Sequence, residues 1–335
     1  MIRIAIDAMG GDHAPAAPVA GAVLARATLA ADTVVQLVGQ TAVVEAELTK
    51  QGVSRDRIEI VEAPEAVGMA EKPVEAVRSK RNSSIALGLG LQKAGHSDAF
   101  VSAGNTGAVM AAATLILRLY PGFNRPAIGA PFPTADHTVL LLDAGANVDC
   151  TPQEIVGFAH LGTHYSRDVL GRPDPVVGLL SIGEESEKGN AAVKEAHKLL
   201  AADPALRFCG NVEGRDILMG HSEHGVVDVI VSDGFTGNVL LKFYESVGRL
   251  LRNLVGKELS PEVQQSEGMR NIAHFLDYAR FGGAPLLGVR GVCIIAHGRS
   301  SPEAFASAIR VAAEAARHHL VQHMNSEFVR EGAAS

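Results

Sequence analysis

Two glycine-containing loops share one pattern and carry side chains suited to holding an anion. Residues 98–109 and 228–239 are identical at seven of twelve positions and lie 130 residues apart, with the pattern D-x-x-V-S-x-G-x-T-G-x-V. In each copy the apolar first half predicts a strand, and the glycines after it predict a turn into a helix. The repeat therefore predicts the same strand-to-helix turn at two places in the fold.

Such a turn presents backbone N–H groups to a ligand. Glycine permits positive φ, so consecutive N–H groups can form a concave nest, and the following helix adds the positive end of its dipole. Neutral hydroxyl and amide side chains add donors, so the chemistry suits inorganic phosphate. The candidate phosphate-binding residues are Ser102, Gly104, Asn105, Thr106, Gly107, Thr236 and Asn238. The same residues also fit plain tight turns with Ser, Thr or Asn caps, and both interpretations stay open.

Titratable and polar side chains follow several other predicted strands. Collected at one edge of a parallel sheet, they would form a polar cleft with groups able to move protons. The candidates for catalysis are Lys188, Asp233, His13 and His297, and the further cleft residues are Asp7, Asp12, Asp143 and Asn147. Taken singly, each of these residues fits a turn with a helix cap or a solvated loop better than a catalytic role.

Several familiar motifs are missing. The sequence contains no G-x-G-x-x-G after the first strand, no G-x-x-x-x-G-K-[ST], no G-x-S-x-G and no H-E-x-x-H. A bound dinucleotide, a P-loop and a serine-hydrolase elbow are therefore not predicted. His160 and His164 are four residues apart on a predicted helix and could share a metal, but no third ligand is evident, so packing is the favoured role. No cofactor and no metal are expected.

Composition excludes some function classes. The 335 residues carry a formal net charge of −7 and only 4% aromatic residues, which argues against a nucleic-acid-binding surface. Three separated cysteines suggest neither a disulfide framework nor a zinc site, so a cytoplasmic, reducing location is expected. The longest uncharged stretch, residues 99–117, contains a glycine turn and predicts a strand and a buried helix rather than a membrane span.

The loops described above need elements to position them. Continuously apolar runs predict strands at residues 2–6, 34–38, 58–61, 99–101, 139–142, 176–180, 227–231 and 292–295. Helical patterns fall at residues 18–31, 42–51, 84–94, 107–119, 152–170, 190–202, 238–256 and 302–324. This alternation predicts an α/β fold with a mainly parallel sheet covered by helices on both faces. The segment 120–133, rich in proline and glycine, is a candidate crossing between two lobes of what is otherwise expected to be one domain, residues 1–335.

Seven blocks of the sequence together resemble one family. They are IAIDAMGGDHAP, SAGNTGAVMAAA, LLDAGANVDC, SIGEESEKGN, GNVEGRDI, VSDGFTGNVLLK and GGAPLLGVRGVCIIAHGRS, in order from Ile4 to Ser300. The chain is similar to the bacterial acyl-acyl-carrier-protein:phosphate acyltransferases of phospholipid synthesis. The resemblance implies a homodimeric three-layer α/β/α fold related to phosphotransacetylases and isocitrate-dehydrogenase-like proteins. It also implies transfer of a fatty acyl group from acyl carrier protein to inorganic phosphate, with the acyl phosphate passed to a membrane glycerol-3-phosphate acyltransferase.

The implied reaction fits the residues, because phosphate is itself the nucleophile and no serine or cysteine is required. We expect phosphate to lie against residues 102–107 with Lys188 as charge partner, while Asp233, Thr236 and Asn238 complete the site. His13 or His297 would handle protons or polarise the carbonyl. The alternatives left open are an acyl-CoA-dependent phosphotransacetylase and a non-enzymatic phosphate-binding scaffold.

An acyl carrier protein is acidic, so its docking needs a local basic surface. One candidate cluster is Arg78, Lys80 and Arg81, and another is Arg249, Arg252 and Lys257 on the helix predicted at 238–256. The resemblance implies a helical hairpin in this region, about residues 238–271, that serves for membrane contact or is exposed at the tip of the dimer. Here the connection from Lys257 to Met269 is short and acidic, so peripheral contact at the inner face of the membrane is only a hypothesis.

Overall fold

The chain forms two compact units that are built from separate stretches of sequence. The computed structural model describes residues 1–53, 56–134, 136–275 and 281–331. Unit 1 comprises the described residues of Met1–Pro126, Arg167–Gly171 and Phe281–Ser335, and unit 2 those of Ala127–Ser166 and Arg172–Arg280. The first passage from unit 1 to unit 2 falls at Pro126–Ala127, inside the segment 120–133.

The strands and helices alternate along most of the described chain. The strands are β1 (Ile2–Asp7), β2 (Thr33–Gly39), β3 (Ile58–Glu62), β4 (Ala99–Ser102), β5 (Ala127–Ile128), β6 (Ala130–Pro133), β7 (Thr138–Leu142), β8 (Val176–Leu180), β9 (Arg207–Val212), β10 (His221–Ser222), β11 (Gly225–Val226), β12 (Val229–Val231), β13 (Ala284–Leu287) and β14 (Val292–Ile295). The helices are α1 (Ala16–Thr28), α2 (Thr41–Lys50), α3 (Pro73–Ser79), α4 (Ser84–Lys93), α5 (Thr106–Ile116), α6 (Pro152–Asp168), α7 (Ala191–Ala202), α8 (Asp216–Met219), α9 (Gly234–Glu258), α10 (Pro261–Gln264), α11 (Glu267–Phe275), α12 (Pro302–Arg317) and α13 (Leu320–Glu331).

The sheet of unit 1 has its strands in the order β3-β2-β1-β4-β14-β13. All neighbouring pairs are parallel except β13 with β14. Its central strands are buried without alternation; Ile4, Ile6 and Phe100 are fully enclosed. Helix α12 packs on β1, β4 and β14, and α4 packs on β1, β2 and β4. Helices therefore shield the apolar runs that the sequence places in these strands.

The sheet of unit 2 has the order β6-β7-β12-β8-β9. Strands β7, β12, β8 and β9 are parallel, while the edge strand β6 is antiparallel to β7. A separate two-stranded hairpin joins β10 and β11. Because β7, β12 and β8 are neighbours with the same direction, the loops after them lie at one edge of this sheet.

The α/β class and its mainly parallel pairing are confirmed, but the strands are divided between two main sheets rather than one. Two predicted helix bounds are also wrong. Helix α9 begins at Gly234, not at residue 238, because Asp233 caps it. The helix predicted over 302–324 is interrupted where His319 adopts φ +56°, so α12 and α13 are separate. Within the described ranges no helix is both long enough and apolar enough to span a membrane.

Candidate functional site

In unit 1 the carboxyl ends of three adjacent parallel strands, β1, β4 and β14, bring their loops to one sheet edge. Strand β1 pairs with β4 through Ile6 and Val101, and β14 pairs with β4 through Ile295 and Ser102. The loops after β1 and β14 also touch directly, because the N–H of Asp12 donates to the carbonyl of Gly298 at 2.7 Å. The polar residues that end these strands are therefore neighbours, as the sequence predicts.

Asp7 is the buried centre of this edge. Its carboxylate accepts from the Ser102 hydroxyl at 2.7 Å and from the N–H of Met9 at 3.1 Å. The Ser102 hydroxyl oxygen in turn accepts from the N–H of Gly104 at 3.0 Å. Burial raises the pKa of Asp7, and hydrogen bonds from Ser84, Ser102 and backbone N–H groups oppose that shift. Asp7 therefore fixes the shape of the loop after β4 through Ser102.

Gly10 is required by this packing. A Cβ at position 10 would stand 2.3 Å from Oδ2 of Asp7 and 2.8 Å from the backbone nitrogen of Gly104. No side chain fits there, so the loops after β1 and β4 can approach only with glycine at this position.

Asn105 caps α5 and ties it to an earlier segment. Its side-chain oxygen accepts from the N–H of Ala108 at 3.1 Å, while its Nδ2 donates to the carbonyls of Met69 at 3.0 Å and Glu71 at 2.9 Å. The amide is thus fully used within the protein. The first two N–H groups of α5, those of Thr106 and Gly107, have no acceptor among the described residues, and they face no competing charge from their neutral cap.

The other titratable residues of these loops are exposed. His13, Asp12 and His297 all lie at the surface. Nδ1 of His297 accepts a hydrogen bond from the backbone N–H of Arg299, with 3.0 Å between the two nitrogens. Nε2 is therefore the ring nitrogen that is available to exchange a proton with a ligand. The guanidinium of Arg299 lies 3.6 Å from Asp12, an exposed pair of small energetic value.

In unit 2 the corresponding buried carboxylate is Asp143, which follows β7. It is fully enclosed. Oδ1 accepts from the N–H groups of Ile128, Gly145 and Ala146 at 3.0–3.1 Å. Oδ2 accepts from the backbone N–H and the side-chain amide of Asn147 at 2.7 and 2.9 Å. Burial raises the pKa of Asp143, against the opposing effect of these N–H donors.

Asp233 caps α9 beside this network. Its carboxylate accepts from the N–H of Thr236 at 2.8 Å and from the Thr236 hydroxyl at 2.9 Å. The N–H of Gly234 donates to the carbonyl of Asn147 at 2.8 Å. Asn238 is exposed one turn further on. The dipole of α9 therefore ends on a carboxylate rather than on a free anion-binding position.

A pocket of about 500 Å³ opens at the same edge of unit 2. Its walls come from residues 148–150 and from the first turns of α6, α7 and α9. Helix α7 has a neutral cap, since the Asn190 side-chain oxygen accepts from the N–H of Val193 at 2.9 Å. Cys150 also lines the pocket, and burial, the largest cause, raises its pKa to about 11. This cysteine is a thiol at neutral pH.

Lys188 lies two residues before Asn190 on an exposed loop. The N–H of Lys188 donates to the carbonyl of Glu185 at 3.0 Å, and its side chain passes over Gly183. Within the described ranges no carboxylate lies within 4 Å of its ammonium group. Lys188 is therefore a cation whose charge no neighbouring acid neutralises.

The structure thus sorts the predicted residues into two groups. Unit 1 holds Asp7, Asp12, His13, His297 and residues 102–107, and unit 2 holds Asp143, Asn147, Lys188, Asp233, Thr236 and Asn238. Within each unit these residues lie on loops at the carboxyl edge of a sheet. The expectation that residues 102–107 and 233–238 hold one phosphate together stays a prediction.

Sequence reasoning missed three contributors. These are the segment around Met69 that binds Asn105, the pocket residue Cys150 and the cap Asn190. Only Asn190 had a usable signal, since Asn after glycine and before an alanine-rich run is a typical cap. His160 bonds to Asp203 at 2.8 Å. Among the described residues no cluster of three or more His, Cys, Asp or Glu side chains could hold a metal ion.

Solved structures of other proteins share this fold. A phosphotransacetylase from Streptococcus pyogenes matches with TM-score 0.63 and 18% identity, covering 94% of this chain and 94% of that one. The EutD phosphotransacetylase from Staphylococcus aureus matches with TM-score 0.61 and 17% identity at the same coverage. At this identity the likeness shows the fold alone, which is that of the phosphotransacetylases.

Sequence comparison then gives the family. A protein named phosphate acyltransferase from Gloeobacter violaceus is 48% identical over 337 residues, covering 98% of this chain and 97% of the relative. One of the same name from Nostoc punctiforme is 46% identical over 339 residues at the same coverage. A family model described as "Fatty acid synthesis protein" matches residues 2–323. The chain belongs to this family.

Proposed function

We propose that this protein transfers a fatty acyl group from the thioester of an acyl carrier protein to inorganic phosphate, releasing an acyl phosphate for phospholipid synthesis. The observation that carries the proposal is the 46–48% identity, over nearly the whole chain, to proteins named phosphate acyltransferase. Loops with neutral helix caps in both units support the proposal, because their N–H groups would suit the phosphate that such a reaction needs.

The state of the cysteines supports direct attack by phosphate. Burial raises the pKa of Cys150 and Cys209 to about 11 and that of Cys293 to about 12. Thiols with such values are poor nucleophiles near neutral pH, because the thiolate is the attacking species. A covalent acyl-cysteine is therefore not part of the proposed mechanism.

The bonds change in one addition and one elimination. A phosphate oxygen forms the new C–O bond at the thioester carbonyl carbon, and the carbonyl electron pair moves to its oxygen. When this oxyanion collapses, the C–S bond breaks and the sulfur leaves with the proton that phosphate gives up. Oriented N–H donors stabilise the oxyanion, and one such donor is worth about 3 kcal/mol of barrier in other enzymes.

Two helix starts are the favoured places for phosphate or the oxyanion. Helices α5 and α7 have the neutral caps Asn105 and Asn190, whereas α9 already ends on the Asp233 carboxylate. Lys188, next to the start of α7, would add positive charge. Nε2 of His297 would exchange the proton in unit 1, with His13 as the other exposed candidate.

Comparing acyl donors tests the reaction itself. We expect acyl phosphate, trapped with hydroxylamine, to form only when phosphate and acyl carrier protein thioester are both present. Equal rates with acyl-CoA would favour the phosphotransacetylase alternative, and phosphate binding without turnover would favour a scaffold. A radioactive acyl group that stays on the denatured protein would contradict direct attack.

Substitution at Lys188 tests the charge partner. Lys188→Ala is expected to raise the KM for phosphate about tenfold, because a charge-assisted hydrogen bond is worth roughly 1.5–3 kcal/mol. Lys194→Ala, which removes an exposed lysine of α7, is the matched control and should leave the KM unchanged. An unchanged phosphate KM and turnover in Lys188→Ala would remove this residue from the mechanism.

We also propose that the protein is a cytoplasmic homodimer that hands its product to a membrane glycerol-3-phosphate acyltransferase. Support for association comes from an apolar stripe on α9, where Phe235, Val239, Phe243, Leu250 and Leu254 are 45–67% exposed. A second copy or the inner face of the membrane would cover this stripe. The variant Phe243→Glu distinguishes a second copy from the membrane. If sedimentation velocity shows that the variant is monomeric, the stripe belongs to a dimer interface. If the variant no longer floats with liposomes, the stripe contacts the membrane.

A further inference from the structure

The surface around α3 in unit 1 carries two positive charges without an acidic partner. Lys72 pairs with Glu75 at 3.2 Å, and Lys80 pairs with Glu71. Arg78 and Arg81 are exposed, and in the described part of the chain no carboxylate lies within 4 Å of either. The net charge of this surface therefore comes from two guanidinium groups that are free to meet a partner.

Apolar side chains accompany these arginines. Met69 is 46% exposed and Val74 is 48% exposed. Val74 and Arg78 are four residues apart on α3 and so share one helix face. We call Met69, Val74, Arg78 and Arg81 the strap surface. Exposed apolar groups beside unpaired arginines are typical of sites that bind another protein.

The strap surface belongs to the segment that covers the start of α5. The carbonyls of Met69 and Glu71 accept both hydrogens of the Asn105 amide. Pro73 lies against Gly107, where a Cβ would stand 2.6 Å from the proline Cγ. A partner on the strap surface would therefore sit beside the loops that the proposed function uses in unit 1.

We propose that the strap surface docks the acidic carrier protein that presents the acyl thioester. The inference rests on the proposed function and on charge complementarity, since the free charges are positive and the carrier is acidic. The rival basic cluster on α9 is less suited, because its Arg252 already interacts within the chain. Steering by such charges acts mainly on the encounter between partners and weakens as salt rises.

The test is the double variant Arg78→Glu/Arg81→Glu. Carrier binding is read by isothermal titration calorimetry with acyl carrier protein, and turnover is read with acyl carrier protein and with acyl-pantetheine, which lacks the protein. We expect the Kd and KM for the carrier to rise at least tenfold, with turnover of acyl-pantetheine unchanged. The wild-type carrier KM should also rise with salt more steeply than that of the variant.

The control variant is Arg249→Glu/Arg252→Glu on α9, which should leave carrier binding unchanged. Unchanged carrier binding in the strap variant, or a loss only in the α9 variant, would overturn the proposal. Loss of binding to phosphatidylglycerol vesicles with carrier binding intact would also overturn it, in favour of a membrane surface. If the wild type binds the carrier but forms no acyl phosphate, the proposed function is wrong. The docking proposal is then still tested by calorimetry, which compares carrier binding by the wild type and by the strap variant.

Discussion

The two copies of the repeat, residues 98–109 and 228–239, join neighbouring strands in the same way but cap the following helix differently. At the first position, Asp98 accepts from the N–H of Arg3 at 2.7 Å and Asp228 accepts from the N–H of Val176 at 2.9 Å. Each aspartate thus joins its own strand to the parallel strand beside it. The shared sequence therefore encodes a shared device at the amino end of β4 and of β12.

At the other end of the pattern the copies diverge. Helix α5 is capped by Asn105 at the eighth position, whereas α9 is capped by Asp233 at the sixth and begins two positions earlier. Ala103 occupies the sixth position of the first copy and has no oxygen to cap with. The eighth position also differs, since Phe235 stands where the first copy has Asn105. These two differences change where the helix starts and whether its dipole meets a neutral or a charged cap.

Substitution of the glycine at the tenth position should cause the largest difference in stability between the two copies. A Cβ at Gly237 would stand 1.9 Å from the carbonyl oxygen of Asp143, whereas one at Gly107 would stand 2.6 Å from Cγ of Pro73. Backbone cannot yield as a ring can, so we expect Gly237→Ala to cost about 3 kcal/mol and Gly107→Ala about 1 kcal/mol. Urea unfolding measures both, and equal losses would contradict the comparison.

Substitution of the two buried carboxylates should cause an equally large difference in stability. Among the described residues every donor to Asp143 is an N–H group, whereas Asp7 accepts partly from the hydroxyls of Ser84 and Ser102, which can turn and accept instead. Asp143→Asn is expected to lower the free energy of unfolding by about 3 kcal/mol, and Asp7→Asn by about 1 kcal/mol. Chemical denaturation of both variants checks the order; a larger loss in Asp7→Asn would refute it.

The caps should differ by a smaller amount. Asn105→Ala removes a cap and leaves the carbonyls of Met69 and Glu71 without their donors. Asp233→Ala removes a cap and the acceptor of the Thr236 hydroxyl, which is half-buried and can bond to water instead. We expect losses of about 2 and about 1 kcal/mol, respectively. Asn190→Ala, a cap substitution on α7, is the matched control near 1 kcal/mol. Thermal unfolding that ranks Asp233→Ala as the more damaging would show that the cap at α9 does more than its contacts indicate.

The smallest expected effect is a dependence on pH. The pKa of Asp7 is raised above its ordinary 3.8, so the native state binds this proton more tightly than the unfolded state. Stability should therefore fall as pH rises from 3.8 through the raised value, with a slope of at most about 1.4 kcal/mol per pH unit, since one proton is involved. Asp7→Asn should flatten this decline in urea titrations between pH 4 and 7, and a steeper decline in the variant would contradict it.

Much of the fold followed from local pattern. Buried parallel strands leave continuous apolar runs, so β1, β2, β4, β8 and β14 were predicted nearly to the residue. The division into two sheets was not predicted, because an apolar run does not reveal which strand it pairs with. The break at His319 was missed as well, since the apolar periodicity of α12 continues into α13.

The sequence predicted which residues lie at the candidate site better than it predicted which partners they bond to. The loops after strands gave Asp7, Ser102 and Asp143, because polar residues after buried strands mark the carboxyl edge of a sheet. The use of the Asn105 amide was out of reach, since its acceptors lie 34 and 36 residues earlier. Cys150 was likewise set aside as an isolated cysteine, because only the folded chain gives its pocket and its burial.

The hydrogen bonds from Asn105 to the carbonyls of Met69 and Glu71 connect the start of α5 to the segment that carries the strap surface. The amide that holds the carbonyls of Met69 and Glu71 also caps the helix whose first N–H groups are open to an anion. A movement of the backbone at Met69 and Glu71 would change the position of the Asn105 side chain that caps α5. A ligand that orders this cap would in turn restrict the movement of Met69 and Glu71. If both proposals hold, binding of the carrier to the strap surface and binding of an anion at the start of α5 are linked, and each ligand changes the affinity of the other by the same factor.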